Sequence, residues 1–225
     1  MFTSPLGPDL AALPKLRELL KNLAADVATM TSPAQDFKAI IEALLSRTEE
    51  QLDRLLLAHS EGSLAMMAYA TRNLLELNIW TAYVLASNDN TKRFAQDWLL
   101  DGIGLLEGLE GWHVSYGGKA EDLTSTSATL AELKKNRSEW GLDNAKYLSV
   151  SKVGHELGYG NEYDNLFKVY SKLVHPTSWS VLGVEKKLDP KGIQKLLLFR
   201  GVYYGGQTLC FIRDHLEKYG PVPIT

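Results

Sequence analysis

Cysteine is almost missing from the 225 residues: Cys210 stands alone, which excludes an intramolecular disulfide and any zinc site built from several thiolates. An excess of positive charge is missing too. With 24 Lys and Arg against 27 Asp and Glu, the formal charge is −3, so no global field favours phosphate backbones and extended DNA binding is not expected. No uninterrupted apolar run is long enough for a membrane. The most hydrophobic stretch, Leu64 to Ala86, carries Arg72, Asn73, Glu76 and Asn78 near its middle, which is costly at mid-bilayer. The first twenty residues lack a basic segment followed by an apolar one, so no secretion signal is expected and a cytoplasmic location is. Phosphate-loop, Rossmann, Gly-x-Ser-x-Gly and His-Glu-x-x-His patterns are all missing, and His155-Glu156 has no second histidine at helical spacing. Neither a metal nor a cofactor is expected.

Alternating β-branched segments are scarce as well. Apolar residues instead recur every three and four positions along most of the chain, predicting an all-α protein. With 45% hydrophobic and 23% charged residues and no shift in composition, the expectation is a single-domain bundle of about seven or eight helices, with those of 1–62 packing on a core bundle of 63–219. Helices are predicted over about Leu13–Met30, a second to about His59 opened by Ser32-Pro33-Ala34-Gln35, then Ser63–Ser87, Thr91–Leu109, Asp122–Arg137, Ser149–Leu157, Glu162–Val174 and a last one from the Asp189 cap to about Tyr219. A glycine-rich break is expected at Gly111 to Gly118, forming with Trp112, His113 and Tyr116 an aromatic loop able to cover a site. Gly205-Gly206 is expected to permit close helix packing and Cys210 to fill the core.

Two segments concentrate chemistry. On the apolar 63–87 helix, Tyr69, Arg72, Asn73, Glu76, Trp80 and Tyr83 fall on one stripe. Arg72 and Glu76 can pair across one turn in the order less favoured for an exposed helix, which leaves two readings open: an ion pair joining helices, or a ligand pocket. The second segment runs from Tyr170 through Ser171 and His175-Pro176 to Trp179. Proline ends the helix at His175, and the helix dipole there favours imidazolium, suiting either a general acid or base or a solvated capping residue.

Together, Arg72-x-x-x-Glu76 and Tyr170 to His175-Pro176 resemble an uncharacterised group of bacterial helical proteins that is itself similar to the HEPN superfamily. The resemblance implies a HEPN-like core, a homodimer, and binding of a nucleotide or RNA end at a polar cluster of Arg72, Glu76, Tyr170 and His175. Tyr69, Asn73, Trp80, Ser171 and Trp179 would surround the ligand, with aromatic rings stacking a base. It also suggests an alternative, a non-enzymatic interaction protein of a defence or toxin-antitoxin type system. A third reading is a metal-independent ribonuclease. Arg54 and His59, with four residues between them, are similar to the Arg and His pair of HEPN ribonucleases. On that reading His59 or His175 moves protons at the ribose hydroxyl while Arg54 or Arg72 stabilises phosphorane charge.

Overall fold

A computed structural model of the chain describes residues 12–30, 35–175 and 189–220. Among them every extended element is helical: α1 (Ala12–Thr29), α2 (Gln35–Ser60), α3 (Leu64–Ala86), α4 (Asn88–Ser115), a 3-10 turn (Ala120–Leu123), α5 (Thr124–Glu139), α6 (Val150–Glu156), α7 (Gly160–Val174) and α8 (Pro190–Tyr219). The chain is an all-α helical protein, and no helix among the described residues is long and apolar enough to cross a membrane. The Ser32-Pro33-Ala34 helix start and Trp179 lie outside the described residues. Asp189 caps α8 as expected, its carboxylate accepting from the Lys191 amide with Pro190 in the first turn.

The chain falls into two compact units, one drawn from residues 1–91 and 150–225 and the other from 92–149. The division lies within the stretch 63–219 that the sequence suggests as one core. Both parts have ordinary globular composition, so nothing in residue usage marks it.

In the first unit α3 is the central helix, packed against α8, α2 and α7. Met67, Ala68, Ala70, Leu74, Leu75 and Ile79 of α3 are wholly buried with Leu55, Leu197, Tyr170 and Tyr204. Small residues set the helix spacing. A methyl group on Gly201 would lie 2.4 Å from Leu55 Cδ2 and 3.2 Å from Thr71 Oγ1, and one on Gly205 would lie 2.9 Å from Leu52 Cδ2, so α8 reaches α2 and α3 through its glycines. Thr71 Oγ1 donates to the Leu197 carbonyl (3.0 Å) and Asn78 Nδ2 to Thr208 Oγ1 (3.3 Å), tying α3 to α8 through the interior.

The second unit is organised by α4, whose Leu99, Leu100 and Ile103 are buried along with Leu130 of α5 and Leu142. The segment after α5 is clasped to α4: Tyr147 donates to the Leu100 carbonyl (3.0 Å), and the Leu148 amide donates to Asp97 Oδ1 (3.0 Å). The expected break at Gly111 does not occur. The helix begins earlier, where the Ser87 hydroxyl accepts from the Asn90 amide, continues through Gly108 and Gly111, and stops only where Gly117 takes a φ of +78°. There the Gly118 amide returns to the His113 carbonyl and the Gly117 amide to that of Val114, a helix-ending arrangement that requires a left-handed residue. Glycine within a helix costs only about 1 kcal/mol, too little to end one by itself. Trp112 and His113 are therefore helical residues, not part of a loop.

Candidate functional site

The α3 stripe sits at the rim of the core, and neighbours pin most of it in place. Arg72 Nε donates to Glu76 Oε1 at 3.2 Å, and both side chains keep about a quarter of their surface exposed, 27% and 25%. The guanidinium carbon lies 4.1 Å from the centre of the Phe167 ring, which stacks on Tyr163 at 4.4 Å. Burial raises the Tyr163 hydroxyl above its ordinary range and the Glu76 carboxylate adds to this, while Arg72 opposes it. Asn73 Nδ2 donates to Gln51 Oε1 of α2 at 3.2 Å, Trp80 meets Tyr83 edge to face, and Tyr69 is exposed.

Contacts of Arg72 with Phe167 and of Glu76 with Tyr163 make α7 antiparallel to α3. His175 lies eight residues beyond Phe167, about 12 Å further along the axis at 1.5 Å per residue. Phe167 and Tyr163 thus join the Arg72–Glu76 pair, Asn73 is bound to Gln51 of α2 instead, and the helical rise carries His175 away from the pair. His175 ends α7 with extended backbone, its amide donating to the Ser171 carbonyl, and its side chain is exposed, as are Asp164 and Lys168 on the same face. Asp164 pairs with His155 at 3.2 Å.

Tyr170 belongs to a different and more deeply buried cluster. Tyr170 of α7 and Tyr204 of α8 are both completely covered. Their hydroxyls interact with one another, yet neither meets the geometry of a formed hydrogen bond. Beside them Arg200 Nη1 donates to Glu162 Oε1 at 2.6 Å, with side chains 32% and 25% exposed, while Arg200 Nε is covered and has no acceptor. Burial pushes the Tyr170 hydroxyl up to about 12, with Tyr204 and Arg200 pulling the other way. Burial raises Tyr204 further still, helped by Tyr170 and Glu162. Tyr159, at the start of α7, is also raised to about 12 by burial, then by Tyr203 and Glu162. These phenols stay protonated and remain donors. Glu162, Arg200 and Tyr204 were invisible as a group in the sequence. The four-residue step from Arg200 to Tyr204 was the one local signal, and their approach to Glu162 and Tyr170 depends on α7 and α8 both packing on α3.

Arg54 and His59 share α2 without sharing a direction. Five residues at 100° each place them about 140° apart around the axis. Arg54 is exposed and held by Glu50 at 2.5 Å, and Glu50, lowered chiefly by its hydrogen bond from Arg47, is shared between the two arginines. A crevice of about 160 Å³ between α1 and α2, lined by Leu20, Ala24, Glu42, Leu45, Ser46 and Glu49, contains none of the residues singled out from the sequence. No group of three or more metal-binding side chains occurs among the described residues.

No curated protein and no solved structure matches the chain. Residues 38–190, spanning α2 to α7 and so both the Arg72 pair and the Tyr170 hydroxyl, match DUF5677, a family of unknown function, and the chain belongs to that family.

Proposed function

We propose that the chain is a HEPN-like helical protein that binds an acceptor-rich anion, of the nucleotide or RNA-end class, at the cluster of Tyr170, Tyr204, Arg200 and Glu162. The observation that carries this reading is a covered group of donors short of acceptors: Arg200 Nε has none, and the Tyr170 and Tyr204 hydroxyls have at most one another. A buried donor left unsatisfied costs about 1–3 kcal/mol. Phosphate oxygens offer several acceptors to two phenols and one guanidinium, and hydrogen bonds to an anion are the stronger kind. Arg200 and Glu162 are the partly exposed members, so entry runs past their ion pair, with Arg200 exchanging carboxylate for phosphate. Tyr159 and Tyr203 supply rings against which a base can stack. Resemblance to the HEPN superfamily favours the nucleotide class over other anions.

Thermal unfolding with inorganic phosphate, AMP, ATP and short 5′-phosphorylated RNAs tests this. A ligand at a hundred times its Kd stabilises the native state by about 2.7 kcal/mol. At least one of these ligands should raise the melting temperature of wild type but not of folded Arg200→Gln. Indifference of wild type to every ligand at millimolar concentration, or an undiminished shift in Arg200→Gln, refutes it.

A second reading is a non-enzymatic interaction protein in which Arg72 and Glu76 fix helix register, favoured by the Phe167 ring covering the Arg72 guanidinium. The ribonuclease reading requires Arg54 and His59 to meet across two copies. RNA cleavage abolished by His59→Ala alone would favour it.

A further inference from the structure

The Tyr170 cluster holds an anion of its own, and that restricts which second anion can join it. Glu162 Oε1 accepts from Arg200 Nη1 at 2.6 Å. Burial is the main cause that raises the hydroxyls of Tyr159, Tyr170 and Tyr204, and in all three the Glu162 carboxylate adds to it, so its charge reaches each of them. Arg200 opposes the rise at Tyr170 and Tyr204. On the helices beside α7, Arg72 and Glu76 of α3 are directed at Phe167 and Tyr163, and His155 of α6 at Asp164. The two buried hydroxyls therefore face one cation and one carboxylate, whose charges cancel.

The hydrogen-bond inventory is less even. Arg200 Nε and Nη1 and the protonated phenols of Tyr170 and Tyr204 can donate, whereas the Glu162 carboxylate can only accept. An incoming anion made of acceptors alone would satisfy the donors but set one of its oxygens against Glu162, and like charges brought together in a partly covered place repel strongly. An anion that retains a hydroxyl avoids this. It turns acceptors to the donors and its proton to the carboxylate, in an O–H···O⁻ bond of the short, charge-assisted kind.

On the anion-binding reading given above, on which this rests, we infer that the cluster selects a terminal phosphomonoester carrying one proton, whose P–OH donates to Glu162 while its other oxygens accept from Arg200, Tyr170 and Tyr204. Such an ester keeps this proton up to about pH 6, whereas a phosphodiester or a sulfate ester has none to offer near neutral pH. Charge acts in the same direction, since the protonated ester adds one negative charge to the neutral Arg200–Glu162 pair and the unprotonated ester adds two. The ligand class thereby narrows to mononucleotides and phosphorylated ends, and the internal diesters of a nucleic acid are excluded. Glu162 is the specificity-determining residue, reading the proton and not the negative charge.

Calorimetric titration of the full chain with AMP and with adenosine 5′-sulfate, which has the same shape and a single charge but no proton, tests this. At about pH 6 wild type should bind AMP at least about tenfold more tightly than the sulfate. At higher pH its affinity for AMP should fall about tenfold per unit, because each bound ligand then takes up one proton, and buffers of different ionisation heat read that uptake without any variant. Glu162→Gln, whose amide can donate to a sulfate oxygen, should bind both ligands alike and flatten the pH dependence, with unchanged circular dichroism. Equal affinity of wild type for the two ligands, or an affinity for AMP that is constant from about pH 6 to about pH 8, overturns the inference and leaves the anion site standing so long as Arg200→Gln abolishes binding. Binding of neither ligand, or binding that survives Arg200→Gln, refutes the site and the inference together.

Discussion

If the Tyr170 and Tyr204 hydroxyls serve a ligand and not the fold, removing both should stabilise the free protein. Tyr→Phe deletes one oxygen and leaves the ring, so Tyr170→Phe/Tyr204→Phe opens almost no cavity in a core where both rings are completely covered. An unsatisfied buried hydroxyl costs about 1–3 kcal/mol, and replacing both partners of a poor contact by apolar groups of the same shape is neutral or favourable. Allowing for the attraction the two oxygens lose, the expected gain is about 1 kcal/mol, or about 2–4 °C in melting temperature for a chain of this size. Each single variant should gain less, because it leaves its partner wholly without company. Urea unfolding of wild type, both single variants and the double variant gives the cycle directly. In the same double variant the melting-temperature shift with phosphate-bearing ligands should disappear. A double variant less stable than wild type by 1 kcal/mol or more would show that the hydroxyls hold the core together, and the argument from unsatisfied donors would fall.

Alkaline pH gives a second check on the same groups. Below pH 10 both folded and unfolded phenols are protonated and the stability is fully present. Between pH 10 and about 12 the unfolded chain releases the Tyr170 proton first, so stability falls by about 1.4 kcal/mol per pH unit per tyrosine, and the fall should be shallower in the double phenylalanine variant. An identical slope would rule these tyrosines out as its source. Arg72→Ala and Phe167→Leu should each destabilise by about 1–2 kcal/mol, with a coupling of about 0.5–1 kcal/mol in a double-mutant cycle, kept modest by partial exposure; strict additivity would mean that the ring and the guanidinium do not interact. Gly201→Ala should cost about 1–2 kcal/mol despite its better helix propensity, because the new methyl meets Leu55. Gly111→Ala, where nothing lies within 4 Å, should gain about 0.5–1 kcal/mol. Equal signs in thermal melts would contradict the packing described.

The sequence by itself determined the class and most helix limits of this protein, because these rest on local causes. Threefold and fourfold apolar spacing is written in the order of residues, Asp189-Pro190 opens α8 wherever the rest of the chain lies, and Arg72 and Glu76 reach one another across a single turn of their own helix. His175 at the end of α7 follows from Pro176 in the same way. What failed locally was Gly111, where a propensity penalty of about 1 kcal/mol does not end a helix. Tertiary structure alone decided which polar residues form a cluster. Tyr170 was legible as a candidate, but its companions Tyr204, Arg200 and Glu162 come together because α7 and α8 both pack on α3, while the helical rise separates His175 from Arg72. Periodicity says which residues share a side, and packing says which side is covered, as Leu99, Leu100 and Ile103 of α4 are.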